Sequence, residues 1–207
     1  MNEIILMLIY LTVIVAAITV ELMNFKRVVI ALSIYGIVTT IITLLNGELI
    51  GSIINFITIG VLVPLLILNA SKKVGFTEKE KYFGTITTII SLAIAISVTT
   101  IGLFIVHTIN WEFVLAITLI TIGTYALAVK GNLIKIVVGY TIYDSAFHLL
   151  FSLYAVLYEP PETLTLTVLI ATSVILLGVV ASILYLAIHN YQKTGVIDSW
   201  SLRRLKW

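Results

Sequence analysis

Residues Leu133–Tyr158 read LIKIVVGYTIYDSAFHLLFSLYAVLY, with Lys135 and Asp144 as the only charged side chains. About 20 consecutive apolar residues suffice to carry a helix across the hydrocarbon of a bilayer, and this stretch exceeds that length. The same texture extends on both sides. Further apolar runs cover Ile4–Met23, Val28–Leu45, Leu49–Ala70, Tyr82–Val106, Trp111–Val129 and Leu164–Tyr191, separated by short polar breaks. The whole chain of 207 residues is 60% hydrophobic and 11% charged, with a mean hydropathy of +1.17. A soluble domain carries about 25% charged residues, so too little charge is present to cover a watery surface. The sequence therefore predicts an all-α, polytopic transmembrane helical bundle of about seven spans. The apolar start lacks a basic segment ahead of it and a small-residue cleavage site, and reads as a retained helix.

Charge placement orients the bundle. With seven spans, all twelve Lys and Arg residues fall on one side: Lys26, Arg27, the cluster Lys72–Lys81, Lys130, Lys135, Lys193 and the tail residues Arg203, Arg204 and Lys206. Glu3, Glu48, Glu112, Glu159 and Glu162 fall on the other. Basic residues stay cytoplasmic, which puts the N-terminus outside and the C-terminus in the cytoplasm. The charged loop Ser71–Lys81 divides a three-helix front part (1–70) from a four-helix part (82–191), with a cytoplasmic tail over 192–207.

Ionisable groups at bilayer depth are costly and point to function. Glu21 lies near Lys26 and Arg27 and reads as an interfacial charge; Glu112 and His107 read as solvated near the outer surface. Asp144 differs. It lies 11 residues into its span, about 16 Å along the axis, with His148 one turn further on the same face. Tyr140 and Ser152 extend the stripe by fours. Such a stripe must face other helices or internal water. It is either a satisfied pair that holds helices together or a set of stations for protons, because burial and a neighbouring imidazolium push a carboxyl pKa in opposite directions. In the third span, Asn55, Gly60 and Pro64 predict a kink, since proline removes a backbone hydrogen bond.

Other chemistry is missing from the sequence. Cys is absent, which excludes disulfides and cysteine-ligated clusters. The three His residues lie at different depths, against a bis-histidine haem. No mid-span Lys exists for a retinal Schiff base, and no HExxH, GxSxG, P-loop or GxGxxG motif occurs. No catalytic residue and no cofactor is expected in the chain itself.

The segment Gly131–His148, GNLIKIVVGYTIYDSAFH, resembles the corresponding helix of the hydrogenase-4 component E family, which has an acidic residue five positions after a Gly and a His four further on. Here these are Gly139, Asp144 and His148, with Asp where that family usually has Glu. Thr194–Asp198, TGVID, and Ile57–Leu66, ITIGVLVPLL, are similar to two further motifs of that family. Its third-helix Lys is replaced by Ile59, and a polar residue of its last helix by an apolar one near Ile175. The last three helices, about 111–191, resemble the K subunit of complex I and the small three-helix component of Mrp-type sodium/proton antiporters, whose membrane Glu aligns with Thr141.

The resemblance implies a plasma-membrane subunit of a complex-I-like, energy-converting hydrogenase or formate hydrogenlyase complex. Such a subunit would couple redox chemistry elsewhere to proton or sodium translocation. Its partners would be antiporter-like membrane subunits and peripheral subunits holding the nickel–iron site and iron–sulfur clusters. Asp144 would be the proton-accepting carboxylate, His148 its relay partner, Tyr140 a group extending the water path, and Lys135 a residue at the cytoplasmic access. An Mrp-type antiporter component and a purely structural scaffold are the alternatives.

Overall fold

In a computed structural model of the chain, residues 3–75, 84–105, 111–158 and 162–197 are described. They form seven long helices: α1 (Glu3–Glu21), α2 (Phe25–Leu45), α3 (Leu49–Val74), α4 (Gly84–Ile105), α5 (Trp111–Val129), α6 (Leu133–Tyr158) and α7 (Glu162–Thr194). Six are long and apolar enough to cross a membrane; in α4 the apolar part is Ile89–Phe104. The protein is a multi-pass membrane protein with an all-α bundle. His107 and the tail beyond Ile197 lie outside the described residues.

The helices meet where small residues let them approach. A Cβ at Gly36 of α2 would lie 2.5 Å from the Gly60 Cα of α3, so the two backbones nearly touch. At the α5–α6 crossing, a Cβ at Gly139 would lie 2.5 Å from the Ala126 Cβ, and one at Gly123 would lie 2.9 Å from the Gly139 carbonyl oxygen. Lipid offers no hydrophobic drive between helices, so close van der Waals contact of this kind holds them together. Ile9, Val13, Leu32, Leu119, Val138 and Leu176 fill the space between crossings. Outward positions such as Met7, Ile30, Phe104 and Val174 carry large exposed apolar side chains, as a lipid-facing surface requires.

The irregularity predicted around Pro64 is found, but it takes a particular form. Residues Phe56–Leu62 are π-helical within an otherwise α-helical α3. Pro64 has no N–H to give the Gly60 carbonyl, and its ring crowds that carbonyl. The chain responds by widening: the Val63 N–H reaches back five residues to the Thr58 carbonyl. Helix α3 also continues to Val74, so part of the segment read as a loop from Ser71 is helical.

One end of the bundle is tied together by polar contacts. Asn132 caps α6, accepting from the Ile134 N–H at 2.9 Å. The Leu133 N–H donates to the Ile197 carbonyl at 3.1 Å, and Asn190 Nδ2 donates to the Val196 carbonyl at 3.0 Å. Gly195, at φ 71°, makes the reversal that folds the start of the tail beneath α6. At this end Lys130 Nζ lies 2.8 Å from Glu21 Oε2, and the Tyr125 hydroxyl donates to Glu21 Oε1 at 3.0 Å. The ends of α1, α5 and α7 and the start of α6 thus share one face, the alternation that the Lys and Arg pattern predicts. Glu21 is buried in this cluster rather than lying at an open interface.

Candidate functional site

The stripe on α6 faces helices, as its polarity demands. Asp144 and His148 lie one turn apart with Asp144 Oδ2 3.4 Å from His148 Nε2, and their side chains are 12% and 11% exposed. Helix α7 supplies the next group: Thr172 Oγ1 lies 3.2 Å from the same Nε2. The single hydroxyl hydrogen of Thr172 points to its own helix, at the Val168 carbonyl 2.9 Å away. With that hydrogen so engaged the Thr172 oxygen is free to accept, and the Nε2–H tautomer of His148 is the one that satisfies both contacts. A neutral His148 protonated on Nε2 has Nδ1 as its basic atom. Nε2 is flanked by Thr172 Oγ1 at 3.2 Å and Asp144 Oδ2 at 3.4 Å.

Helix α2 closes the other side. The Tyr35 hydroxyl is fully buried and faces Ser145 and Asp144, without a hydrogen bond of good geometry. One turn along, Thr39 Oγ1 accepts from Asn55 Nδ2 at 3.0 Å. Asn55 is the residue immediately before the π-helical segment, and its Oδ1 is buried with no partner. Between these helices lies a cavity lined by Thr39, Thr43, Gly51, Asn55, Ser145 and His148, with Leu149 and Leu169 as its apolar wall. It has room for roughly one water molecule. Ser152, the last member of the stripe, is buried with its Oγ unpartnered.

Glu48, in the short α2–α3 connection, reaches this region from outside the spans. Its Oε2 folds over Gly51, so close that a Cβ there would lie 3.0 Å away. It also faces Ser152 and His148. Burial holds its carboxyl above the usual carboxylate range, with the nearby Ser152 and His148 side chains opposing the shift. Glu112, at the start of α5, lies within electrostatic range of Glu48 and is buried, which corrects its reading as a solvated surface charge.

Tyr140 is half-buried and lies near Asp144, on the side of it toward the start of α6. Lys135 lies apart from these groups. It is 1% exposed, and its Nζ donates to the Val20 carbonyl at 2.6 Å and to the Leu22 carbonyl, so that it caps the C-terminal end of α1. Nine residues separate Lys135 from Asp144, about 14 Å of helical rise. Thr141 is fully buried and donates to the Val137 carbonyl at 2.8 Å. Ile59 is a core residue at the α2–α3 contact, whereas Ile175 points outward from α7. Among the described residues no cluster of three or more His, Asp or Glu side chains is placed to hold a metal ion.

Residues 111–207, which include α5, α6 and α7, match the family model for NADH-ubiquinone/plastoquinone oxidoreductase chain 4L. No curated protein and no solved structure matches the chain.

Proposed function

We propose that this chain is a membrane-arm subunit of a complex-I-like redox-driven ion pump, and that Asp144 and His148 form a proton relay inside it. The observation that carries the proposal is the pair itself: a carboxylate and an imidazole adjacent at mid-span, turned toward α2 and α7 and bordered by a polar cavity. The likeness of residues 111–207 to chain 4L supports assignment to the membrane arm. The motifs around Gly139, Asp144 and His148 favour, within that class, the energy-converting hydrogenase and formate hydrogenlyase assemblies. On this reading the nickel–iron and iron–sulfur chemistry belongs to partner subunits, and this chain supplies no redox group.

Each residue then has a separate task. Asp144 accepts and releases the proton. His148 exchanges it through Nε2, held in place by Thr172. Tyr35 and Tyr140 border the carboxylate. Lys135 anchors α6 to α1 at the end of the bundle where the basic residues gather. A structural scaffold would have little use for a mid-membrane acid whose Oδ2 makes no hydrogen bond of good geometry, because desolvating a carboxylate is expensive.

The test is made on the assembled complex. Asp144→Asn and His148→Ala should each reduce coupled ion movement at least tenfold while the complex still assembles. Unchanged ion movement in both variants would refute the relay. The proteins that co-purify with the chain separate the readings of its setting: a nickel–iron large subunit fits the hydrogenase assembly, and antiporter subunits alone fit an Mrp-type complex.

A further inference from the structure

The polar groups around His148 are distributed unevenly along the membrane normal. From Asp144 toward the end of the bundle where α1 finishes, α6 presents Ile142, Val138, Val137 and Ile134, all with no exposure, packed in one core with Val28 and Leu32 of α2. The core on this side is apolar apart from Tyr140, beside Asp144, and Thr141, whose hydroxyl is bonded to its own helix, and it ends at the buried Lys135. Toward the opposite end the succession is polar: His148, the cavity with Thr39, Thr43 and Asn55, then Ser152, then Glu48 at the α2–α3 connection. Two buried polar atoms along it, Asn55 Oδ1 and Ser152 Oγ, make no hydrogen bond of good geometry within the protein. Such atoms are what a water file needs for partners.

We propose that Glu48 is the outer proton-loading group of the relay, and that this chain forms a half-channel open only on the face where α2 ends and α3 begins. The proposal rests on the relay reading above. A proton on Glu48 passes to the cavity water, which gives up one of its own protons to His148 Nδ1. The imidazolium then releases the Nε2 proton to Asp144. The net change is one proton moved: Glu48 goes from carboxylic acid to carboxylate and Asp144 from carboxylate to carboxylic acid, with no redox partner involved. His148, left protonated on Nδ1, regains its starting tautomer by rotating its ring, giving the Nδ1 proton to the cavity water and taking one back from it on Nε2, with no net proton change, before the next transfer. The groups facing Glu48 are His148 and Ser152 from α6 and Glu112 from α5. The raised Glu48 carboxyl suits loading, since a group that holds its proton into a less acidic range exchanges it more readily near neutral pH. On the far side of Asp144, among the described residues, only Tyr140 and Tyr35 border the carboxylate before the apolar core begins, so onward transfer is assigned to a neighbouring subunit.

The test uses native membrane vesicles containing the whole complex, with turnover-driven proton movement measured per assembled complex for the parent, Glu48→Gln, Glu48→Asp and Asp144→Asn. Expected are losses of tenfold or more in Glu48→Gln and Asp144→Asn, with partial recovery and a shifted pH profile in Glu48→Asp. If Asp144→Asn is impaired and Glu48→Gln moves protons like the parent, the half-channel is refuted and the relay stands. Parental activity in Asp144→Asn refutes the relay, and the half-channel with it. Loss in Glu48→Gln without recovery or a pH shift in Glu48→Asp means a structural role and also refutes the proposal. A second measurement fixes the side. The chain has no Cys, so in Glu48→Cys a gel shift of this polypeptide with a membrane-impermeant maleimide reports position 48 alone. Labelling from the side opposite the Lys-rich loops is expected; labelling from the Lys-rich side, or from neither, overturns the assignment.

Discussion

Replacing Gly36 by Ala adds a single methyl at the tightest contact between α2 and α3. The new Cβ would meet Gly60 Cα at 2.5 Å, Gly60 N at 2.6 Å and the Ile59 carbonyl carbon at 2.9 Å. All three are backbone atoms and cannot rotate away. Carbon atoms pack at about 3.5–4.0 Å, so the helices must separate by about 1 Å. Forcing a methyl into a packed contact costs about 1–3 kcal/mol. The better helix propensity of Ala returns about 1 kcal/mol. Separation also stretches the Asn55–Thr39 hydrogen bond, now 3.0 Å, and a typical hydrogen bond contributes about 1 kcal/mol. The sum is a net loss on the order of 2 kcal/mol. Gly60→Ala is the control on the facing helix: its Cβ would meet only the Phe56 ring at 3.3 Å, with the Gly36 carbonyl carbon at an ordinary 3.9 Å. Thermal or denaturant unfolding in micelles should show Gly36→Ala clearly destabilised and Gly60→Ala near parental stability. Equal effects, or the reverse order, would refute the close-approach account of how α3 is held against α2.

Other outcomes can be checked on the same preparations. Lys135→Met should cost about 2–3 kcal/mol, because charge-assisted bonds to the last carbonyls of α1 are lost, yet leave proton movement per assembled complex unchanged; a selective loss of transport with stability intact would return Lys135 to the relay. Glu48 has a raised folded-state pKa, so the folded protein binds more protons than the unfolded one, and stability falls as pH rises from the unfolded value through the folded one. Glu48→Gln should therefore flatten that part of the stability–pH curve and match the protonated parent at low pH; an unaltered slope would contradict the burial of the carboxylate. Thr172→Val removes the acceptor facing His148 Nε2, so the imidazole nitrogen resonances in magnetic resonance should show a mixed tautomer population in place of a dominant Nε2–H form.

Most of the bundle is legible in composition and the placement of charge. Seven apolar runs, short breaks and one-sided Lys and Arg residues imply the helices, and a four-residue spacing by itself puts Asp144 beside His148. What the sequence hides are pairings between helices, which leave no mark in a single chain. Thr39 and Thr172 look like ordinary span hydroxyls bonded to their own helices, and only the packing reveals that one receives Asn55 and the other His148. Glu48 and Glu112 sit where charged residues are normally solvated, so the half-burial of the first and the burial of the second are tertiary facts. Depth alone places Lys135 near the cytoplasmic access; its reach across to α1 depends on where that helix ends. Pro64 signals a backbone fault, but the sequence does not say whether relief comes by bending or by widening; the structure shows widening over Phe56–Leu62.

The widened turns of α3 have a consequence for what the helix can become. Each residue of an α-helix advances about 100° around the axis, so rewinding Phe56–Leu62 as regular α-helix with every residue kept would rotate one half of the rod against the other by about that amount. With Gly60 still docked on Gly36, Asn55 would swing from the cavity toward the acyl chains, and an amide would be stranded in oil. The surplus residue therefore works as a spacer in the angular sense: it lets one rod present a smooth surface to α2 at one level and a hydrogen-bonding group to α2 at the next.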